Sequence, residues 1–131
     1  MDLTALGKEV LKAQPFSQLL GMELLWAQEG EVAFALPVRP EFLQHLGVVH
    51  GGVIAALLDN ALTFAGGMAL GPQVLTVEFK VNFLRPARGG RLVAKGRVVH
   101  AGKRLAVVQG EVTGEGEAGP IALGQGTIRK V

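Results

Sequence analysis

The residues whose types and spacing suit chemistry lie in and just before one apolar segment. Gly51 and Gly52 begin a predicted helix over about residues 51–70, which carries almost no polar side chain until Asp59 and Asn60. Positions 55, 56, 62 and 63 are Ala, Ala, Leu and Thr, so no cationic side chain lies one helical turn from Asp59. Because an unpaired carboxylate is costly to bury, Asp59 is expected to have a functional task.

The glycine pair stands where the predicted helix begins. The first amides of a helix lack intrahelical acceptors and lie at the positive end of its dipole. Gly51 and Gly52 therefore indicate a site for an oxyanion or another anion, although such a pair also serves simply as an entry from a loop into a helix. His50 could orient a ligand carbonyl or hold the loop, and Gln44 could donate a hydrogen bond at the same site.

The spacing of Gly51 and Asp59 suggests how they could act on one substrate. Asp59 lies eight residues after Gly51, which corresponds to about 12 Å along a helix. A carbonyl bound to the Gly51 amide cannot also touch Asp59 of the same helix. Two antiparallel helices related by a twofold axis would bring Gly51 of one chain near Asp59 of the other. The sequence therefore suggests a homodimer with two shared sites.

Composition limits the class of protein. The chain has 131 residues, 49% hydrophobic and 18% charged, which indicates a single globular domain over residues 1–131. Thirteen Lys and Arg against 11 Asp and Glu, with 5% aromatic residues, do not favour nucleic acid as a partner. The apolar residues 53–70 approach the length of a membrane span, but Asp59 and Asn60 near their centre argue against one.

Cysteine and histidine usage restricts the available chemistry. The chain has no cysteine, which removes disulfides, thiolate catalysis and cysteine-based zinc sites and fits a cytoplasmic protein. Its three histidines, at positions 45, 50 and 100, lack metal-ligand spacing, so no metal site is expected. The first residues lack a basic segment followed by an apolar one, so no secretory signal is expected.

The remaining sequence predicts the elements that must position these residues. Helical spacing predicts a first helix over residues 3–13, ended by Pro15. Alternation predicts strands over 21–28, 31–38, 74–84, 91–100, 104–113 and 121–129, with Val77, Phe79, Val81 and Phe83 on one face of the third strand. One long helix cannot cover both faces of a parallel sheet. We therefore expect an α+β fold in which an antiparallel sheet wraps around the long helix.

These motifs together resemble a known family. The run His50-Gly51-Gly52, then Asp59, then Val77 to Pro86 with its Arg85-Pro86 end, closely resembles the hotdog-fold acyl-CoA thioesterases. The nearer similarity is to the phenylacetyl-CoA thioesterase and human thioesterase-superfamily type. It covers roughly residues 15–131. It implies a hotdog fold, a central helix wrapped by an antiparallel sheet, here with an additional N-terminal helix, and dimers that pair into a homotetramer.

The resemblance also implies roles for individual residues. The Gly51 amide would polarise the thioester carbonyl, and Asp59 would be the nucleophile or the general base that activates water. Thr76 matches a polar position that orients this water in some relatives. Gln44 matches a position often held by Asn or Gln, and His50 matches the histidine beside the oxyanion glycine. Gly52 and Asn60 are expected to contact the substrate.

The implied substrate is an acyl-CoA, hydrolysed to free acid and CoA without a metal or redox cofactor, since coenzyme A is part of the substrate. A basic rim would hold its phosphates. Two alternatives remain open: a binding module that holds acyl-CoA without turning it over, and a hotdog dehydratase, whose differently spaced Asp and His are not found here. Candidates for the rim are Arg85, Arg88, Arg91, Lys103 and Arg104, of which Arg85 and Arg88 are placed at the substrate.

Overall fold

A long helix crosses one face of a single six-stranded antiparallel sheet. The computed structural model describes residues 2–131. The strand order is β1-β2-β4-β5-β6-β3, so β1 and β3 are the two edges. The elements are α1 Leu3–Lys12, α2 Pro15–Leu20, β1 Glu23–Gln28, β2 Glu31–Pro37, a 3-10 turn Pro40–Phe42, α3 Gly51–Leu70, β3 Val74–Phe83, β4 Arg91–Ala101, β5 Leu105–Gly114 and β6 Pro120–Lys130.

The long helix and all six predicted strands are confirmed, and their ends differ from the prediction by no more than two residues. α3 is 20 residues long and apolar enough to pass a composition test for a membrane span. Core helices of globular proteins have the same length and composition, and half of the most apolar 18-residue stretch of α3 is buried inside this chain. Its buried residues include Leu57, Leu58 and Leu62, which are fully covered. The α+β hotdog architecture that the sequence predicted is therefore observed.

Glycines allow α3 to lie very close to the sheet. Gly96, Gly110 and Gly124 are directly opposite one another in β4, β5 and β6. A Cβ at Gly96 would overlap the Ala61 carbonyl oxygen of α3, and one at Gly124 would lie 2.7 Å from Leu58 Cδ2. Gly124, which weakens the sequence signal for the last strand, is thus required by the packing of the helix.

A second helix follows the first and was not predicted. Pro15 lies beyond the end of α1 as expected, but it is also the first residue of α2, where proline is well tolerated because its missing N–H needs no partner. Gly21 ends α2 in a left-handed conformation with a φ of 78°. Proline followed six residues later by glycine was the available sequence signal.

The prediction for the faces of β3 is partly wrong. A β-bulge shifts the pairing with β6 between Thr76 and Glu78, so Val77 points away from the core and is 56% exposed. Thr76 before the bulge and Phe79 after it are both half-buried. A bulge adds one residue to one strand and reverses the side-chain alternation. Thr76 therefore faces α3 although simple alternation groups it with Glu78 and Lys80.

Candidate active site

Asp59 is held by hydroxyl groups rather than by a cation. Its Oδ1 accepts a hydrogen bond from Thr76 Oγ1 at 2.7 Å, and Thr63 Oγ1 lies 3.3 Å away. The two threonine hydroxyls are 2.8 Å apart, and Thr63 Oγ1 is also 2.8 Å from the Asp59 carbonyl oxygen. These contacts fix the half-buried carboxylate, while Oδ2 has no hydrogen-bond partner within residues 2–131. One oxygen is thus oriented and the other is available to a ligand.

Thr63 is a site residue that the sequence analysis did not identify. It lies one turn after Asp59 on α3, and it interacts with both Asp59 and Thr76. The i, i+4 spacing was visible in the sequence, but threonine at that position is also common as a side chain that bonds to the carbonyl of its own helix. Only the position of Thr76 on β3 shows that the three residues form one cluster.

The start of α3 offers one backbone donor to a ligand. His50 is the N-cap, and its Nδ1 accepts from the Gly52 amide at 2.8 Å. This nitrogen must be unprotonated to accept, so in the neutral ring the proton is on Nε2. The Gly51 amide has no acceptor in the described part of the chain. His50 therefore caps the helix by bonding the Gly52 amide, and the Gly51 amide remains free.

Phe83 lies beside Gly51. A Cβ built on Gly51 would lie 3.4 Å from the Phe83 ring, so β3 passes close to the start of α3 at one end and to Asp59 at the other. Phe83 itself is 51% exposed within the single chain. A Cβ at Gly52 would lie 2.9 Å from His50 Nδ1, which explains why glycine is needed there.

Gln44 belongs to the tight loop that leads into α3. The side-chain Oε1 of Gln44 accepts a hydrogen bond from the Leu46 backbone amide. The Gln44 backbone N–H donates to the Val48 carbonyl at 2.9 Å, and the Gln44 backbone carbonyl accepts from the Gly47 amide at 3.0 Å. The loop is joined to the helix start because the His50 amide donates to the Phe42 carbonyl at 2.8 Å. The Gln44 side-chain NH₂ group has no acceptor among residues 2–131, so it keeps its donors for a ligand.

Asn60 has a different environment from Asp59. Its Nδ2 lies 3.0 Å from both Ser17 Oγ and Met22 Sδ, and Ser17 in turn donates to Gln14 Oε1 at 2.8 Å. Ser17 is 3% exposed and is the only serine in the chain. Asn60 thus connects α3 to α2 and the following segment, and its amide nitrogen is engaged there.

The basic residues do not form one rim. Arg85 pairs with Glu117 at 3.2 Å and Arg91 with Glu115 at 2.8 Å, so both guanidinium groups already have carboxylate partners. Lys103 and Arg104 follow the far end of β4, about 30 Å from Arg91 at the usual strand rise. The five candidates therefore lie at two opposite ends of β4.

Arg88 lies in a loop that is bonded to the segment just before α3. It is exposed and forms no ion pair within residues 2–131. The carbonyl of its neighbour Ala87 accepts from the Val49 amide at 2.7 Å, which brings this loop beside His50. A guanidinium there is suited to a phosphate group.

Comparison with known proteins identifies the family. The family model described as the thioesterase superfamily matches residues 46–121, more than half of the chain and including α3 and β3. The chain belongs to the thioesterase superfamily. This membership supports thioesterase activity in general and confirms the resemblance that the His-Gly-Gly and Asp59 pattern suggested.

Individual relatives agree with this assignment. The chain is 32% identical over 127 residues to acyl-coenzyme A thioesterase 13 of Homo sapiens, with 92% of this chain and 88% of that protein covered. A thioesterase family protein from Silicibacter pomeroyi superposes with a TM-score of 0.86 at 32% identity, covering 94% of this chain and 93% of that one. A mutant of the phenylacetic acid degradation protein PaaI from Thermus thermophilus gives 0.82 at 32% identity, covering 90% and 100%.

The contact between Ser17 and Asn60 gives a test of the Asn60 assignment. If Asn60 connects α3 to α2, Ser17→Ala and Asn60→Ala each lower the free energy of unfolding by about 1 kcal/mol. The double variant loses less than the sum, with a coupling of at least about 0.5 kcal/mol measured by urea unfolding. Strictly additive losses would show that the two side chains do not support each other.

Proposed function

We propose that this protein is an acyl-CoA thioesterase that hydrolyses the thioester to a free acid and CoA. The observation that carries the proposal is that α3 has both a free amide at Gly51 and a carboxylate, Asp59, that hydroxyl groups hold in one orientation. A thioester has a good leaving group, so an oxyanion donor and a carboxylate suffice for hydrolysis without a serine triad.

The reaction assigned to these groups begins at the carbonyl. Its oxygen accepts a hydrogen bond from the Gly51 amide, at the positive end of the α3 dipole, where negative charge develops in the transition state. Asp59 then acts through Oδ2, either by removing a proton from an attacking water or by attacking the carbonyl carbon itself. Thr76 and Thr63 keep Oδ1 fixed in both cases. The C–S bond breaks, and the CoA thiolate leaves and takes up a proton, which protonated Asp59 supplies when water is the nucleophile and solvent supplies when Asp59 is. If Asp59 is the nucleophile, water then hydrolyses the acyl–Asp59 anhydride, which releases the free acid and restores the carboxylate.

The position of β3 supports a site shared between two chains. β3 is an edge strand of ten residues with Leu75, Val77 and Phe83 more than half exposed. Such an edge is suited to pairing with a second copy. If two β3 strands pair antiparallel about an axis near Phe79 and Lys80, Thr76 of one chain lies opposite Phe83 of the other. Asp59 of the first chain then approaches Gly51 of the second.

The proposal also gives roles to Gln44, His50 and Arg88. Gln44 donates its side-chain amide at the carbonyl, His50 maintains the free Gly51 amide by capping Gly52, and Arg88 contacts a CoA phosphate. We propose a homodimer that pairs further into a homotetramer in the cytoplasm, and the chemistry requires no metal or redox cofactor. Gly52, Asn60 and Arg85 are better explained as support for the site, since each already has a partner in the chain.

Replacing the carboxylate tests the central role of Asp59. Asp59→Asn keeps an oxygen that Thr76 and Thr63 can bond, so the fold is expected to persist. Thiol release from a panel of aliphatic and aromatic acyl-CoAs is expected to fall by about 10²-fold or more. Glu29→Gln, an exposed carboxylate in the turn between β1 and β2 at the other edge of the sheet from β3, is the matched control and retains activity. Unchanged turnover in Asp59→Asn would falsify its catalytic role.

Wild-type protein that binds acyl-CoA stoichiometrically but releases no thiol would instead support the binding module. Hydration of an enoyl-CoA in place of thiol release would support the dehydratase.

Proline at position 51 tests the amide donor directly. Proline suits the first turn of a helix, and His50 already has the extended φ of −59° and ψ of 134° that a residue before proline adopts. Gly51→Pro deletes the N–H, whereas Gly51→Ala adds a Cβ near Phe83 and keeps it. We expect kcat in the proline variant to be about 10² lower than in the alanine variant, as for loss of one oxyanion donor. Equal rates would exclude the Gly51 amide from the reaction.

Mixing two inactive variants tests whether the site is shared. When Gly51→Pro and Asp59→Asn chains are unfolded together and refolded, each mixed dimer contains one site with both wild-type groups. Random assembly of equal amounts should restore about a quarter of wild-type activity. Each variant refolded alone is the control. If mass spectrometry shows mixed dimers but no activity returns, both groups of one site come from the same chain.

A further inference from the structure

A cleft lies between the N-terminal helix and the C-terminal half of α3. Its volume is about 210 Å³. Apart from Gln14 and Thr63 its side chains are apolar, and no ionisable group lines it. The side chains that form its walls are Leu3, Leu6, Val10, Phe64, Met68 and Val74.

This cleft adjoins the Asp59 cluster through one shared residue, Thr63. Thr63 lines the cleft and also contacts Asp59 and Thr76. Gly67, one turn further along α3, lines it as well. Asp59, Thr63 and Gly67 are spaced four residues apart and therefore share one face of the helix. A group that leaves the carboxylate along this face passes Thr63 and enters an apolar space.

The helix that forms the outer wall is firmly attached. Thr4 Oγ1 donates to the Ala27 carbonyl and accepts from the Ala27 amide, both at 3.0 Å, which joins α1 to β1. A Cβ at Gly7 would lie 2.6 Å from Leu24 Cδ2, so α1 also approaches β1 very closely. The wall is thus a fixed surface of the fold, and α1 lies outside the residues that the family model matches.

We propose that this cleft receives the acyl group of the substrate and that α1 sets the size limit. The inference rests on the proposed thioesterase function and names its substrate class. An apolar cavity of about 150 Å³ holds benzene, so about 210 Å³ corresponds to about eight carbon atoms. The geometry therefore points to medium-chain or arylacyl thioesters. Acetyl-CoA leaves the cleft largely empty, and a long-chain acyl group exceeds it.

Gly67 offers a way to fill the cleft without disturbing the fold. A Cβ there meets only Val74 Cγ2, at 3.7 Å, which is ordinary contact. Gly67→Leu projects a side chain into the cleft, and leucine favours the helix more than glycine does. Ala5→Leu adds the same side chain on an exposed position of α1 outside the cleft and is the matched control. Met68→Ala, which enlarges the cleft, is the opposite change.

The experiment measures kcat/KM for acetyl-, hexanoyl-, phenylacetyl- and palmitoyl-CoA with each variant. Wild type and Ala5→Leu should prefer hexanoyl- and phenylacetyl-CoA. Gly67→Leu should lower kcat/KM for these two at least about tenfold and leave that for acetyl-CoA within about twofold. Met68→Ala should raise the value for palmitoyl-CoA relative to hexanoyl-CoA.

The outcomes separate this inference from the proposed function. An unchanged chain-length profile in a folded Gly67→Leu variant overturns the assignment of the cleft, while thiol release by wild type still supports the thioesterase. If Gly67→Leu loses its cooperative thermal transition, the chain-length profile of Met68→Ala is the test instead. In that case, absence of a shift toward palmitoyl-CoA in Met68→Ala overturns the assignment of the cleft. Absence of thiol release from every ester overturns both proposals.

Discussion

The close approach of α3 to the sheet is the constraint on which the rest of the structure depends. Three glycines, aligned across β4, β5 and β6, leave room for the backbone and leucine side chains of α3 where any Cβ would collide. The helix itself contributes Gly66, where a Cβ would lie 2.7 Å from Ile128. Because protein interiors are close-packed, contacts of this kind fix the position of the helix along its length. Gly51, Asp59, Thr63 and Gly67 are then held in register on one rigid element.

Once α3 is fixed, β3 determines what its polar residues can do. The bulge at Val77 turns Thr76 toward Asp59, and the same strand then brings Phe83 beside Gly51. A carboxylate in an apolar helix is thereby supplied with hydroxyl donors in place of a cation. A salt bridge at this point would neutralise the charge that the proposed chemistry uses. Two hydroxyl groups orient Asp59 and leave one of its oxygens free.

The two N-terminal helices lie outside the residues that the family model matches. Residues 46–121 contain the free amide, the acid and both threonines. Of the two N-terminal helices, α2 is joined to this region by Ser17 at Asn60, and α1 is joined to β1 by Thr4 at Ala27. They close the apolar cleft that extends from Thr63. The groups of the proposed chemistry thus lie within residues 46–121, and the proposed selection of the acyl group also uses α1, which lies outside them.

The sequence by itself determined the order of elements, the long central helix and the unusual nature of Asp59. These depend on periodicity and on residues close in sequence, such as the unpaired carboxylate among alanines and leucines. The tertiary structure decided the partners that are distant in sequence: Thr76 for Asp59, Ser17 for Asn60 and Glu117 for Arg85. It also decided the face on which Thr76 lies, because a bulge is a property of strand pairing. The apolar cleft, too, exists only because helix packing brings Leu3 near Val74.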